Sequence, residues 1–257
     1  MDRSFLTNAD VIKASRDFVC IRLATYEDDA EAEYLKTIYL GRNGDLENTV
    51  FCLLSPDGDE NLCRAGRGPQ FAFRNPRDMA SEMNKIAKQY QAKPRADGET
   101  ILPEMKDIRL GINVSSCDGI PSIICYSKDE QQLAKMKSRL APLAVGAELG
   151  GKFVYSSTTD ADDLKQVAGF EKASAGILIV APDSYGLEGE VKRFIAADQS
   201  TEAIAKVLTE FASDTSKTTK NHGSHVRKGI GSGKDWKTAI PVTDQGSLKA
   251  MQRRRGK

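Results

Sequence analysis

The sequence predicts an α/β protein in which a central mixed sheet is flanked by helices. Short apolar runs bounded by turn residues, which are typical of buried strands, alternate with stretches whose apolar residues recur at helical spacing. This pattern occurs twice along the 257 residues, of which 40% are hydrophobic, enough to bury a core in each half. We therefore expect two domains, residues 1–92 and 107–213, followed by a basic extension at residues 214–257.

The first domain is expected to begin with a strand, a helix and a strand pair. An apolar run at residues 17–24 predicts the first strand. Thr25 is placed to cap the next helix, whose first turn is acidic and suits the positive end of the helix dipole: Glu27, Asp28 and Asp29. Two further strands, residues 49–55 and 61–65, are joined by a run of turn residues that includes Pro56, Asp57 and Gly58.

A second helix is expected to close the first domain. Asn75 is placed to cap it and Pro76 occupies its first helical position. The apolar stripe of this helix consists of Met79, Met83, Ile86, Ala87 and Tyr90. Residues 91–106 are polar and contain proline and glycine, which indicates a domain boundary.

The second domain is expected to repeat this plan with more elements. Apolar or alternating runs predict strands at residues 108–114, 121–126, 152–156, 176–181 and 190–195. Helical spacing predicts helices at residues 128–143 and 161–167, and a last helix that Ser200 caps. Pro182 and Asp183 repeat the earlier Pro56 and Asp57 turn, so we interpret the two halves as a duplicated domain type.

The order of a strand, a helix, a strand pair joined by a Pro-Asp turn and a closing helix resembles the thioredoxin fold. The resemblance covers residues 10–90 and 107–212 and depends on element order. Redox-active members of that family hold a Cys-x-x-C pair after the first core strand. The helix that starts there lowers the thiol pKa through its dipole and free N–H groups. Such proteins also carry a cis-proline before the strand that faces this pair.

The chain departs from the family at both positions. The matching helix starts, residues 25–30 and 127–130, contain no cysteine, and the first of them contains three carboxylates. Thr49 and Ser174 stand where the cis-proline is expected. The resemblance therefore implies a non-catalytic thioredoxin-like protein, without a cofactor, that acts as a binding or scaffold module for a protein partner.

Because the chain has five cysteines, an enzyme that uses one of them is the alternative to a non-catalytic binding module. Cys52 and Cys63 lie on the two strands of the predicted hairpin, and a disulfide or redox pair would require their Cβ atoms to face each other. Separate buried thiols are the other interpretation, because most of the cysteines have apolar neighbours. A displaced cysteine such as Cys63 or Cys117 would make the chain a thiol-disulfide oxidoreductase.

The formal net charge of +1 conceals an asymmetry. Residues 213–257 hold eleven Lys and Arg against three Asp and Glu, a net charge of +8, so the preceding residues carry −7. Polyanion binding is thus a further alternative, through Arg227, Lys228, Lys234, Lys237, Arg253, Arg254 and Arg255. Trp236 and the apolar residues 240–242 predict that part of the extension docks onto a folded surface.

The remaining features predict neither a metal site nor a membrane span. His222 and His225 are the only histidines and no cysteine lies near them, whereas a zinc site needs three or four ligands. No run approaches the roughly 18 apolar residues of a membrane span. No signal peptide follows Met1, which favours the cytoplasm, although an exported protein without its leader would begin in the same way. The oligomeric state is left open.

Overall fold

The computed structural model describes residues 4–41, 43–47, 49–90, 100–170, 175–214 and 221–255. The helices are α1 (Ala9–Ala14), α2 (Asp29–Ile38), α3 (Pro76–Ala87), α4 (Ile108–Asp118), α5 (Glu130–Val145), α6 (Thr201–Asp214), α7 (His222–Gly231) and α8 (Gln245–Arg255). The strands are β1 (Ser122–Tyr126), β2 (Val154–Thr158), β3 (Val167–Ala168), β4 (Gly176–Pro182) and β5 (Gly189–Ala196). The predicted α/β class is confirmed.

Two compact units divide the chain. Unit 1 consists of Met1–Pro94 and Lys237–Lys257, and unit 2 consists of Arg95–Trp236. The boundary expected at residues 91–106 falls partly outside the described residues. Residues 100–236 belong to unit 2, where Leu102 is buried and Met105 donates its N–H to the carbonyl of Tyr155 at 2.7 Å.

Two clusters of buried side chains form the core of unit 1. The first joins α1 to α3 and includes Val11, Ala14, Met79, Ala80 and Met83. The second contains Ala32 and Leu35 of α2 together with Tyr26 and Leu46. In the described part of unit 1, β pairing is limited to isolated bridges, so the expected strand-rich first domain is not formed there.

The strand expected at residues 17–24 is wrong. After a short 3-10 helix, Ser15–Asp17, the chain continues without regular secondary structure. Phe18 packs against the first cluster and Leu23 against the second, whereas Val19 and Ile21 are 90% and 61% exposed. The apolar run therefore does not mark a buried strand. Only Phe18 and Leu23 are packed against the core, and the apolar residues between them are exposed.

The helices expected in the first half are confirmed, with one change of cap. The carboxylate of Asp28, and not the hydroxyl of Thr25, accepts hydrogen bonds from the first turn of α2. Asn75 caps α3, and Pro76 occupies its first position. Met79 of the predicted stripe is 2% exposed.

Residues 51–66 form an irregular hairpin where two regular strands were expected. Its turn has the predicted chemistry: the Gly58 N–H donates to the carbonyl of Ser55 at 2.9 Å. Gly58 has a φ of +83°, a region that glycine adopts without steric cost. An isolated antiparallel bridge joins Leu54 to Asn61 above this turn.

Unit 2 contains a five-stranded mixed sheet in the order β2-β1-β4-β5-β3. β1 is parallel to β2 and antiparallel to β4, β5 is antiparallel to β4, and β3 pairs in parallel with β5. The strands expected at residues 121–126, 176–181 and 190–195 are confirmed as β1, β4 and β5. The strand expected at residues 152–156 is also present, but as β2 it begins two residues later.

The strand expected at residues 108–114 is wrong, because these residues lie in α4. Asp107 caps the helix N-terminus, and Gly119 ends the helix in the left-handed conformation with a φ of +68°. Ile108 and Ile112 alternate with polar residues as in a strand, but they are also four residues apart and lie in one buried cluster. The two caps therefore distinguish the helix from a strand.

Helices cover both faces of the sheet. The helices expected at residues 128–143 and after Ser200 are confirmed as α5 and α6, and their side chains share a buried cluster with β1 and β4. α4 contributes to a second cluster that contains Ile124, Leu178 and Val180. The helix expected at residues 161–167 is a 3-10 turn, Ala161–Leu164, followed by β3.

The residues of the predicted basic extension are divided between the two units. In unit 2, the Tyr185 ring stacks on His225 of α7 with centroids 4.4 Å apart, and Arg109 lies 4.2 Å from the centroid of Trp236. In unit 1, Ile240 donates its N–H to the carbonyl of Tyr26 at 2.9 Å. These contacts hold both parts of the extension against folded surfaces.

Candidate functional site

The start of α5, directly after β1, is the position where the thioredoxin resemblance would require reactive thiols. Asp129 caps this helix: its carboxylate accepts the N–H of Gln131 at 2.8 Å and that of Gln132 at 3.4 Å. Ser127, 1% exposed, donates its hydroxyl to the Gln132 side chain at 2.8 Å. The N–H groups that would stabilise a thiolate or an external anion therefore bind the protein's own oxygen atoms.

Cys125, on β1 just before this helix start, is fully buried. Burial and the nearby Glu104 carboxylate raise the pKa of its thiol to about 12, against the opposing effect of Lys137. Burial and Cys125 also raise the pKa of Tyr155, whose hydroxyl has no hydrogen-bond partner among the described residues. At neutral pH both groups are protonated, so neither can supply a nucleophile.

A polar group lies at the edge of the same core. Lys137 of α5 forms an ion pair with Glu104, and Ser157 of β2 donates its hydroxyl to the other Glu104 oxygen at 2.6 Å. The sequence gives no sign of this group, because Glu104 lies in a segment with no recognisable motif and reaches β2 only in the folded chain.

Cys52 and Cys63 are brought together in the hairpin of unit 1, and neither is bonded in a disulfide. The Cys52 sulfur lies 3.5 Å from the carbonyl oxygen of Cys63, and the Leu53 N–H donates to the Cys63 sulfur at 3.2 Å. Cys117 lies on α4 in unit 2 and is exposed. Of the three predicted redox thiols, Cys52 and Cys63 thus belong to unit 1 and Cys117 belongs to unit 2.

A pair of carboxyl groups, missed by sequence reasoning, lies in unit 1. Burial raises the pKa of Glu47, and the nearby Asp244 carboxyl adds to that effect. Asp244 is 3% exposed and accepts the Ser247 N–H at the start of α8 at 2.6 Å. Its backbone N–H donates to the Tyr26 hydroxyl at 3.0 Å, so the pair stabilises the docked end of the chain.

The predicted polyanion-binding residues do not come together within one unit. Arg227, Lys228 and Lys234 are exposed in unit 2, whereas Lys237 belongs to unit 1. Arg253, Arg254 and Arg255 lie at the end of α8, and the structure describes only their backbone.

The two positions where a cis-proline would be expected do not match the thioredoxin pattern in the described residues. Thr49 is not followed by a regular strand, and Ser174 lies outside the described residues.

The outer edge of β5 is largely unpaired in the described residues. β3 pairs only with Gly189 and Glu190, and the structure describes no strand that pairs with the rest of this edge. Lys192 and Arg193 are exposed there, and Phe194 is 43% exposed. Lys192 forms an ion pair with Glu190, whereas the Arg193 guanidinium donates to the carbonyl of Lys192 at 3.0 Å and forms no ion pair with a described carboxylate.

The described residues contain no group of three or more His, Cys, Asp or Glu side chains arranged to hold a metal ion. None of the described helices has both the length and the apolar character needed to cross a bilayer. Comparison with known protein families, curated proteins and solved structures gave no match for this chain. The mixed five-stranded sheet with helices on both faces defines the class of this protein as mixed α/β.

Proposed function

We propose that this chain is a non-catalytic binding protein whose second half, in unit 2, is thioredoxin-like. The observation that carries the proposal is the start of α5, where Asp129 accepts the N–H groups of Gln131 and Gln132 that a catalytic thiolate would need. Ser127 accepts the N–H of Asp129 at 3.0 Å. The order β1, α5, β2, β4, β5, α6 supports the resemblance over this part of the chain.

The outer edge of β5 is the surface that we assign to the partner. An unpaired strand edge presents N–H and C=O groups to an added strand, and exposed charges limit uncontrolled pairing. Arg193 offers a positive charge on one face of this edge, and Phe194 offers an apolar surface on the opposite face. The occupant that fits is an extended segment of another protein that carries an acidic residue next to an apolar one.

Site-specific cross-linking tests this surface. A photoreactive phenylalanine analogue at Phe194 should give a discrete cross-linked protein in extract of the source organism, and the cross-linked segment should be extended and acidic. The additional change Arg193→Glu should lower the yield about thirtyfold, since a hydrogen-bonded charge contact is worth about 2 kcal/mol. The matched control carries the analogue at Val145, 59% exposed on α5. Equal products at both positions would exclude the edge as the binding surface.

Turnover of disulfide substrates separates this proposal from the oxidoreductase alternative. With dithiothreitol as reductant, the protein should not accelerate insulin reduction. The variants Cys52→Ser, Cys63→Ser and Cys117→Ser should give the same rate as the unaltered chain. A catalytic rate that disappears in any one of these variants would refute the non-catalytic assignment.

A further inference from the structure

The hairpin of unit 1 places two cysteines directly opposite each other. The Leu62 N–H donates to the carbonyl of Leu53 at 2.8 Å. In antiparallel pairing, hydrogen-bonded and non-hydrogen-bonded pairs alternate, so the position beyond this pair, Cys52 and Cys63, corresponds to a non-hydrogen-bonded pair, and the two thiols are in hydrogen-bonding contact with each other. Such pairs have the shorter separation, with Cα atoms about 4.5 Å apart, which lies within the range that a disulfide spans.

A bulge in the returning segment of the hairpin lies next to Cys63, whose sulfur accepts a backbone N–H. Phe51 exchanges two backbone hydrogen bonds with Gly66, at 2.7 and 3.2 Å, which leaves two residues of the returning segment, Arg64 and Ala65, without an opposite residue. Beside this bulge, the Leu53 N–H points at the Cys63 sulfur, 3.2 Å away.

We propose that Cys52 and Cys63 form a redox-sensitive pair that closes reversibly into a disulfide by exchange with a low-molecular-weight disulfide such as oxidised glutathione, with Cys63 as the attacking sulfur. This inference does not depend on the proposed binding function. It adds a modification site in unit 1, whereas that function is assigned to unit 2.

The exchange proceeds in two balanced steps. The Cys63 thiol loses its proton, and its sulfur attacks one sulfur of the glutathione disulfide, which forms a mixed disulfide and releases one glutathione thiolate that takes up the proton. The Cys52 thiol then loses its proton and attacks the Cys63 sulfur, which closes the protein disulfide and releases the second glutathione. The two protein thiols are oxidised, and one glutathione disulfide is reduced to two thiols.

The assignment of the attacking sulfur follows from the donors around each thiol. Burial raises the pKa of Cys63, but the Leu53 N–H and the Cys52 thiol oppose that effect by donating to its sulfur. For Cys52, burial, the Cys63 sulfur charge and the thiol contact raise the pKa to about 12, in spite of the opposing effect of backbone hydrogen bonds with Cys63 and Leu53. The Cys63 thiolate is therefore the more accessible of the two, and Cys52 resolves the mixed disulfide.

Incubation of the reduced full-length chain with oxidised glutathione tests the pair. Thiols titrated after denaturation should fall from five to three, and the intact mass should fall by two hydrogen atoms. A variant without the two exposed cysteines, Cys20→Ser with Cys117→Ser, should fall from three thiols to one. Five persisting thiols in the unaltered chain, or glutathione held on the hairpin without ring closure, would overturn the proposal.

Two single variants test the order of attack. Cys52→Ser should hold one glutathione at Cys63 as a stable mixed disulfide, because the resolving thiol is missing. Cys63→Ser should form a mixed disulfide at Cys52 about tenfold more slowly, because burial raises the pKa of Cys52 to about 12 whereas the Leu53 N–H donates to the Cys63 sulfur. Circular dichroism of both variants verifies that the fold is retained. Equal rates at the two positions would overturn the assignment of Cys63.

Discussion

Replacing Leu140 by alanine should lower the free energy of unfolding of unit 2 by about 3 kcal/mol, the typical cost of a buried leucine truncation. Leu140 lies on α5, is 0% exposed, and belongs to the cluster that joins α5 and α6 to the sheet. The loss combines the transfer free energy of the removed methyl groups with the cavity that remains. Trp236, the only tryptophan, lies in unit 2, so its fluorescence in urea reports this transition.

The matched control is Val145→Ala on the same helix. Val145 is 59% exposed, so its truncation should change the unfolding free energy by less than about 0.5 kcal/mol. If Leu140→Ala cost no more than the control, α5 would not pack against the sheet as described here.

Replacing Asp183 by alanine should cost about 2 kcal/mol, the second largest effect that we expect. Its carboxylate organises the β4–β5 turn by accepting three backbone N–H groups, those of Leu187 at 2.7 Å, Glu188 at 3.1 Å and Tyr185 at 3.2 Å. Without the carboxylate these donors lose their charged partner. Asp57, the corresponding turn residue in unit 1, accepts only one backbone N–H in the described turn, that of Asp59, together with the Ser55 hydroxyl, so Asp57→Ala should cost less.

The Asp183 effect should also depend on pH. Burial alone would raise its pKa, but the backbone N–H groups and Lys234 hold the pKa below its ordinary value. A carboxyl group whose pKa is depressed by folding stabilises the protein fully above its unfolded pKa, about 3.9, and loses that contribution as the pH falls through the folded value. Urea unfolding of Asp183→Asn and the unaltered chain should therefore differ at neutral pH and converge in acid. A constant difference across this range would show that the charge is not the stabilising feature.

Secondary structure could be predicted from the sequence where burial and local signals coincide. β1 and β4 are buried along most of their length, and their apolar runs were sufficient to identify them. The Asn75 and Pro76 start of α3 depends on backbone donors within one turn, so it too could be recognised. In contrast, the alternating residues 108–114 carry both a strand and a helix spacing, and only the position of the caps decides between them.

The candidate site could be predicted only in part. The absence of cysteine at residues 127–130 can be read directly from the chain. That Asp129 satisfies the free N–H groups there depends on the cap geometry of the folded helix. The pairing of Cys52 with Cys63 was one of two open interpretations, because the register of a hairpin depends on its turn and on the bulge beside it.

The amino-acid sequence by itself determined the α/β class, four of the helices (α2, α3, α5 and α6), the central strands of the sheet and the missing dithiol at α5. Only the tertiary structure decided that residues 17–24 are not a strand, that the basic extension is divided between two units, and that β5 has an open edge. The physical reason is the sequence separation over which each kind of interaction acts. Caps, turns and helical stripes depend on residues within a few positions of each other, whereas strand pairing and burial depend on partners that are distant in sequence.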